Sequence, residues 1–150
     1  MKKIIQFGLI LISSILLAAS VQAKFEIPNE ITVYKKPDCF CCDKWVEYLR
    51  KHKYKVTVVS TRNVSAEKKR LGVPVKLKSC HTAEIGGYVV EGHVTHRDIK
   101  KMLVFQPKII GIAVPGMPIG TPGMERGKRV EKYNVMSFDG DGNIKVFVAH

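Results

Sequence analysis

The chain has 150 residues, 25 of them Lys or Arg against 13 Asp or Glu, for a formal net charge of +12. That length suits one ordinary domain with its own hydrophobic core. The basic residues are scattered (Lys51, Lys53, Lys55, Lys68, Lys69, Lys100, Lys101) with no interleaved aromatics or nucleic-acid motif, which favours a basic solvated surface over a nucleic-acid partner.

Residues 1–23 read as a secretory signal. Lys2 and Lys3 form a basic start, Ile4 to Ala19 is almost wholly apolar, and Val21-Gln22-Ala23 supplies small residues for a cleavage site. The rival reading is an uncleaved membrane anchor, because the apolar run approaches the length of a spanning helix. Cleavage is the expectation, since the small-residue pattern sits where a signal peptide requires it. No cysteine stands at the cut for a lipid anchor. The expected product is one periplasmic domain, residues 24–150, without a stable membrane anchor.

Residues 24–30 form a short lead-in. Ile31–Lys36 is rich in β-branched and aromatic residues and predicts a buried strand, which Pro37-Asp38 stops. Apolar residues at Cys42, Trp45, Val46 and Leu49 predict a helix from about Cys41 to Tyr54. A second strand is expected over Tyr54–Ser60 and a short helix over Ser65–Leu71, with Gly72 just past its end. After Val73-Pro74-Val75 and a polar link, Ala83–Ile85 and Tyr88–Glu91 flank Gly86-Gly87 as a hairpin. Thr95 and Asp98 resemble a capping box opening a helix that buries Ile99, Met102 and Leu103. The resulting α/β order, β-α-β-α-β-β-α, is that of a thioredoxin-like fold. In that fold reactive cysteines sit after the first strand, and the segment entering the third strand lies opposite them.

The last third goes beyond that minimal order. From Ile109 it opens with a Gly/Pro/Met loop that repeats a small motif, Pro115-Gly116-Met117 and Pro122-Gly123-Met124. It closes with an expected hairpin extension, Val135–Phe138 and Ile144–Val148, around Asp139-Gly140-Asp141-Gly142-Asn143. That turn imitates the start of a calcium loop, but His150 stands where the bidentate Glu is required. It reads as a turn.

Three of the four cysteines crowd into Cys39-Phe40-Cys41-Cys42, at the expected strand–helix junction. Free N–H groups and the dipole at a helix start favour thiolate over thiol. Adjacent Cys41 and Cys42 cannot close an ordinary bridge without strain. Cys80 falls in the segment entering the third strand, so all four sulfurs are expected to converge. Soft thiolate and thioether ligands select Cu(I). Zinc competes for thiolates, but its usual paired C-x₂₋₄-C spacing is absent. Adjacent cysteines point different ways, which fits sulfurs bridging several ions better than chelating one.

Met117 and Met124 sit where nothing local demands an apolar side chain, so both are candidate ligands or site-lining groups. His93 lies between the last strand of the minimal fold and its helix, at the cysteine end, and is a candidate ligand or supporting group. His52 and His96 are expected to be solvated. His81 adjoins Cys80 and is expected to point away from the site if Cys80 faces it.

Four separated motifs carry a resemblance: Pro37-Asp38-Cys39-Phe40-Cys41-Cys42, Ser79-Cys80-His81-Thr82, Gly87 through Val94, and Ala113 through Pro118 with Pro122-Gly123-Met124-Glu125. In this order the chain resembles, over roughly residues 30–149, the CopG-like family of periplasmic copper-resistance proteins. These small exported bacterial proteins were long catalogued as a domain of unknown function. Its members often have Gly where this chain has Phe40. The resemblance implies a thioredoxin-like fold, copper bound through the C-x-C-C cysteines and Cys80, and a role in copper tolerance. The expected function is therefore a periplasmic copper-binding protein, holding Cu(I) or a Cu(I)/Cu(II) cluster. It would sequester copper, pass it to an efflux system or periplasmic carrier, or cycle its oxidation state. Two other classes stay open: a thiol–disulfide oxidoreductase using the C-x-x-C spacing of Cys39 and Cys42, and a structural domain with two inert disulfides.

Overall fold

In the computed structural model, which describes residues 26–150, the chain enters through β1 (Glu30–Lys35). The expected leader, residues 1–23, lies outside the described residues. Alternate β1 residues Ile31, Val33 and Lys35 are buried, as the pleat of a strand dictates. The chain then turns into α1 (Phe40–Lys51), which buries Cys42, Trp45, Val46 and Leu49 along one stripe. Lys53 takes a left-handed φ of 68° and ends the helix three residues before the expected Tyr54. β2 (Lys55–Ser60) pairs parallel to β1 and forms one edge of the sheet.

α2 (Val64–Arg70) is capped by Asn63, whose side chain accepts from the Ala66 N–H. A single 3₁₀ turn, Val75–Leu77, follows where the sequence predicts only a link. β3 (Thr82–Ile85) and β4 (Tyr88–Glu91) form the expected hairpin. The Thr95 hydroxyl accepts from the Asp98 N–H at the start of α3 (His96–Phe105), the expected box. Ile99, Met102 and Leu103 are buried as expected.

The last third contains one strand more than expected. β5 (Gly111–Ala113) lies parallel to β4, inside the stretch predicted as the start of a loop. β6 (Asn134–Phe138) pairs antiparallel to β5, and β7 (Ile144–Ala149) completes the hairpin extension. The result is a mixed α/β structure, a seven-stranded sheet in the order β2-β1-β3-β4-β5-β6-β7 with three helices. The Asp139 carboxylate accepts from the N–H groups of Asp141 and Asn143 and from the Asn143 side chain, so it closes the turn.

Two apolar clusters sandwich the sheet. Trp45, Leu49, Ile99, Met102 and Leu103 from α1 and α3 meet Ile31, Val33, Ala83, Ile85, Val90 and Ile112. Val73 and Leu77 meet Val89, Ala113 and Phe138 in the second cluster. Among the described residues no helix is long and apolar enough to cross a membrane.

Gly111 explains how β5 docks. A Cβ built there lies 2.1 Å from the Val89 carbonyl oxygen, so only glycine lets the two backbones approach. Gly111→Ala is expected to lower stability by about 3 kcal/mol, the upper range for overpacking, measured by chemical unfolding of the metal-free protein.

Candidate metal centre

The turn after β1 delivers the cysteines to the start of α1. Cys39 is the N-cap residue without a side-chain cap, its N–H donating to the Lys36 carbonyl and its carbonyl accepting from Asp43 N–H. Its neighbours therefore present the first N–H groups of a 12-residue helix. Lys35, buried on β1, pairs with Asp43 at 3.0 Å and donates to the Pro37 carbonyl, bracing the turn.

All four sulfurs converge, as the sequence predicts. Their Sγ atoms lie within 4.8 Å of one another, and no imidazole nitrogen or carboxylate oxygen joins that set among the described residues. Cys41 Sγ is 3.6 Å from Cys39 Sγ and 3.7 Å from Cys80 Sγ. Two sulfurs about 3.7 Å apart are what one tetrahedral ion spans with metal–sulfur bonds near 2.3 Å. In this form Cys39 and Cys42 are joined as a disulfide with Cα atoms 5.3 Å apart, while Cys41 and Cys80 are free.

The Cys80 thiol also donates to Met117 Sδ at 2.7 Å. Burial, and then the neighbouring Cys41, push the Cys80 thiol up to about 11. A soft metal would thus have to displace its proton on binding. Met117 is 51 % exposed and so is not core. It lines, with Phe40, Cys41, Lys44, Met124, Glu125 and Arg126, a cleft of about 380 Å³ that reaches the cluster at Cys41.

Both Pro-Gly-Met loops are fastened to the site. The Ser79 hydroxyl donates to the Gly116 carbonyl, bringing the first loop beside Cys80. In the second, Gly123 has φ 87°, and a Cβ there would lie 2.7 Å from the Cys41 carbonyl oxygen. Glycine is required at that contact. Both Glu125 carboxylate oxygens accept from the Gly123 N–H at 3.0 Å.

His93 is fully buried beneath this loop, at the cysteine end but outside the sulfur set. Its Nδ1 is 2.8 Å from the Pro122 carbonyl. A carbonyl only accepts, so Nδ1 carries the proton and Nε2 is a free lone pair. Nε2 has no hydrogen-bond partner. His81 does not lie at the surface either. Its ring is fully buried, 4.3 Å from Trp45 and 5.0 Å from His93 between centroids. His52 and His96, the two histidines expected to be solvated, stack at 3.6 Å, His52 exposed and His96 half-buried.

The residues missed by the sequence reading are Lys68 and Glu91. Lys68, read as one of the scattered surface lysines, is 4 % exposed and forms a buried ion pair with Glu91. Its ammonium donates to the carbonyls of Ser79 at 3.2 Å and His81 at 3.0 Å. Glu91 accepts from Ser79 N–H. Burial pushes Lys68 down and Glu91 up, against their mutual attraction.

Comparison with known proteins fits this geometry. A family model described as "Protein of unknown function, DUF411" matches residues 77–124. A solved structure titled copper resistance protein CopG, form 2, superposes with a TM-score of 0.78 at 41 % identity, covering 83 % of this chain and 99 % of that one. Form 1 of the same protein gives 0.78 and 41 %, covering 82 % and 98 %. The chain belongs to the CopG family. No curated protein sequence matches. The structural match covers a much larger share of the chain than the family-model segment does.

Burial holds both His81 and His93 below their ordinary value of 6.5. The unfolded chain therefore binds protons that the folded chain refuses, and stability falls as pH is lowered through 6.5. The slope approaches about 1.4 kcal/mol per pH unit for each histidine. His81→Phe is expected to flatten it, read from unfolding midpoints of metal-free protein across that range.

Proposed function

We propose that this chain is an exported, periplasmic copper-binding protein of copper tolerance, with residues 24–150 folded as a single thioredoxin-like domain after removal of residues 1–23. Cys39, Cys41, Cys42 and Cys80 hold Cu(I) as cargo, bridging more than one ion. Met117 and Met124 cover the site, and His93 supports it from beneath. The observation that carries this reading is the convergence of four sulfurs, with a fifth, the Met117 thioether, against Cys80.

The donor set fits a soft ion. Among the described residues no imidazole or carboxylate joins the four cysteine sulfurs, and thiolate and thioether ligands select Cu(I). Use of all four cysteines requires the reduced protein. A dithiol reductant supplies two electrons and two protons to open the Cys39–Cys42 bond, and is itself oxidised to a disulfide. Metal then displaces the thiol protons. Lys44 and Arg126, against the single carboxylate of Glu125, give the lining of the cleft a net positive charge on a basic chain. Such a lining suits copper delivered or collected by an anionic carrier. Relatives titled copper resistance protein support the assignment to copper tolerance.

The bonded Cys39–Cys42 pair at the start of α1 favours a second reading, a thiol–disulfide oxidoreductase of the envelope. Cys41, 3.6 Å from Cys39, would compete for the mixed disulfide and disturb such a couple.

Equilibrium competition under a dithiol reductant separates the two readings, with elemental analysis and a thiol count as readout. The copper reading expects Cu(I) to displace zinc and to protect all four cysteines from alkylation. Zinc retained against excess Cu(I) would count against the copper reading, and dithiol turnover with metal-free protein would favour the second. Met117→Ala is expected to weaken Cu(I) binding about tenfold, the lower range for groups around a metal site, while leaving the unfolding midpoint of metal-free protein nearly unchanged. A large loss of stability with unchanged copper affinity would assign Met117 to packing instead.

A further inference from the structure

Cys80 belongs to no helix or strand. It reaches the other three cysteines across 37 intervening residues, which include β2, α2 and the 3₁₀ turn. The backbone ladder reaches only as far as His81, whose carbonyl accepts from the Gly92 N–H at 3.1 Å, and gives Cys80 itself no strand partner. Three backbone groups flanking it are bound to one buried ion pair. Lys68, from α2, donates to the carbonyls on both sides of Cys80, those of Ser79 and His81. Glu91, at the end of β4, accepts from the Ser79 N–H and from Lys68. Both charged side chains are almost completely buried.

The surrounding packing has the same purpose. Gly92 has φ 74°, and a Cβ there would lie 2.6 Å from both Ser79 side-chain atoms and from the Val114 carbonyl. The Ser79 hydroxyl then reaches Gly116, next to Met117. A buried pair is seldom the cheapest source of stability, since apolar side chains of similar volume serve as well or better. An apolar pair, however, offers nothing to two carbonyls and an N–H. We infer that Lys68 and Glu91 form a positioning pair, which fixes the Ser79–Cys80–His81 segment and so sets Cys80 against Cys41 and Met117. The inference rests on the copper reading for its purpose, though not for its geometry.

The test compares wild-type protein with the double variant K68M/E91M and with Met102→Ala, a core control in α3 remote from Cys80 in sequence. Two quantities are read under a dithiol reductant: the rate at which Cys80 is alkylated in metal-free protein, with Cys41 as internal reference, and Cu(I) affinity against a chelator. The expected result for K68M/E91M is a cooperative unfolding transition, Cys80 alkylation about tenfold faster relative to Cys41, and Cu(I) affinity about tenfold weaker, as for groups that orient a ligand. Met102→Ala should change neither. Wild-type alkylation and affinity in a folded K68M/E91M variant would overturn the inference, as would an equal change in Met102→Ala. Should the double variant fail to fold, E91Q takes its place, because its amide oxygen still accepts one hydrogen bond and leaves a severalfold rise in Cys80 alkylation. No rise there also overturns it. Absence of Cu(I) uptake by the wild type would defeat the copper reading alone, and the alkylation rates would still decide the positioning.

Discussion

The register between β1 and β3 is the constraint on which the site depends. The two strands run antiparallel, with Tyr34 opposite Thr82 and Ile31 opposite Ile85. The chain leaving β1 and the chain entering β3 therefore meet at one end of the sheet. Cys39 follows the first by four residues and Cys80 precedes the second by two. A one-residue slip would turn every core side chain of β3 to the opposite face. The burial of Ala83 and Ile85 with Ile31 and Val33 thus prevents the slip that would misplace Cys80. The apolar core sets the chemistry indirectly, by making only one register affordable.

Packing beneath the sulfurs shows the same dependence of site on scaffold. Trp45 donates from its indole to the Val94 carbonyl at 2.9 Å and lies against His81, which lies against His93. His93 holds Pro122, and Gly123 sits on the Cys41 carbonyl. A continuous stack thus runs from the core of α1 to the loop carrying Met124. Imidazoles suit that stack because their flat rings pack like aromatics, while His93 also ties down a loop carbonyl. The cost is that neither ring can take up a proton without charging a buried position.

Much of the frame was legible in the sequence because its signals are local. The β1 alternation, the α1 stripe at Cys42, Trp45, Val46 and Leu49, the Gly86-Gly87 hairpin and the Thr95 box each declare themselves within a dozen residues. Convergence of Cys80 on the cluster also followed, because element order implies which loops share an edge. β5 did not, because Gly111 weakens a strand pattern and prolines follow at once. Its existence depends on β4 and β6 on either side. Lys68 was illegible for a similar reason. Between Glu67, Lys69 and Arg70 it looks like one more solvated charge, and its burial is decided by Glu91, 23 residues on. The burial of His81 was not legible, because its neighbour's position says which way the ring does not point, not whether another layer covers it.

The sulfur set joins two chemistries that exclude each other at any instant. A bonded Cys39–Cys42 pair has no thiolate to give, so metal and disulfide compete for the same atoms. Cys41 and Cys80 stand outside that bond, within 3.7 Å of each other. Burial makes the Cys80 thiol resist ionising, and the nearby Cys41 adds to the effect. In the metal-free state Cys80 therefore tends to keep its proton, and the neutral thiol suits its partly covered position. A monovalent soft cation changes that balance. It replaces the proton as counter-charge and bonds to sulfur, so thiolates that repel one another when bare are drawn together around it. A cluster in which Cys80 ionises poorly alone is therefore compatible with strong binding of a soft metal, because the metal itself would supply the charge that lets the cluster form.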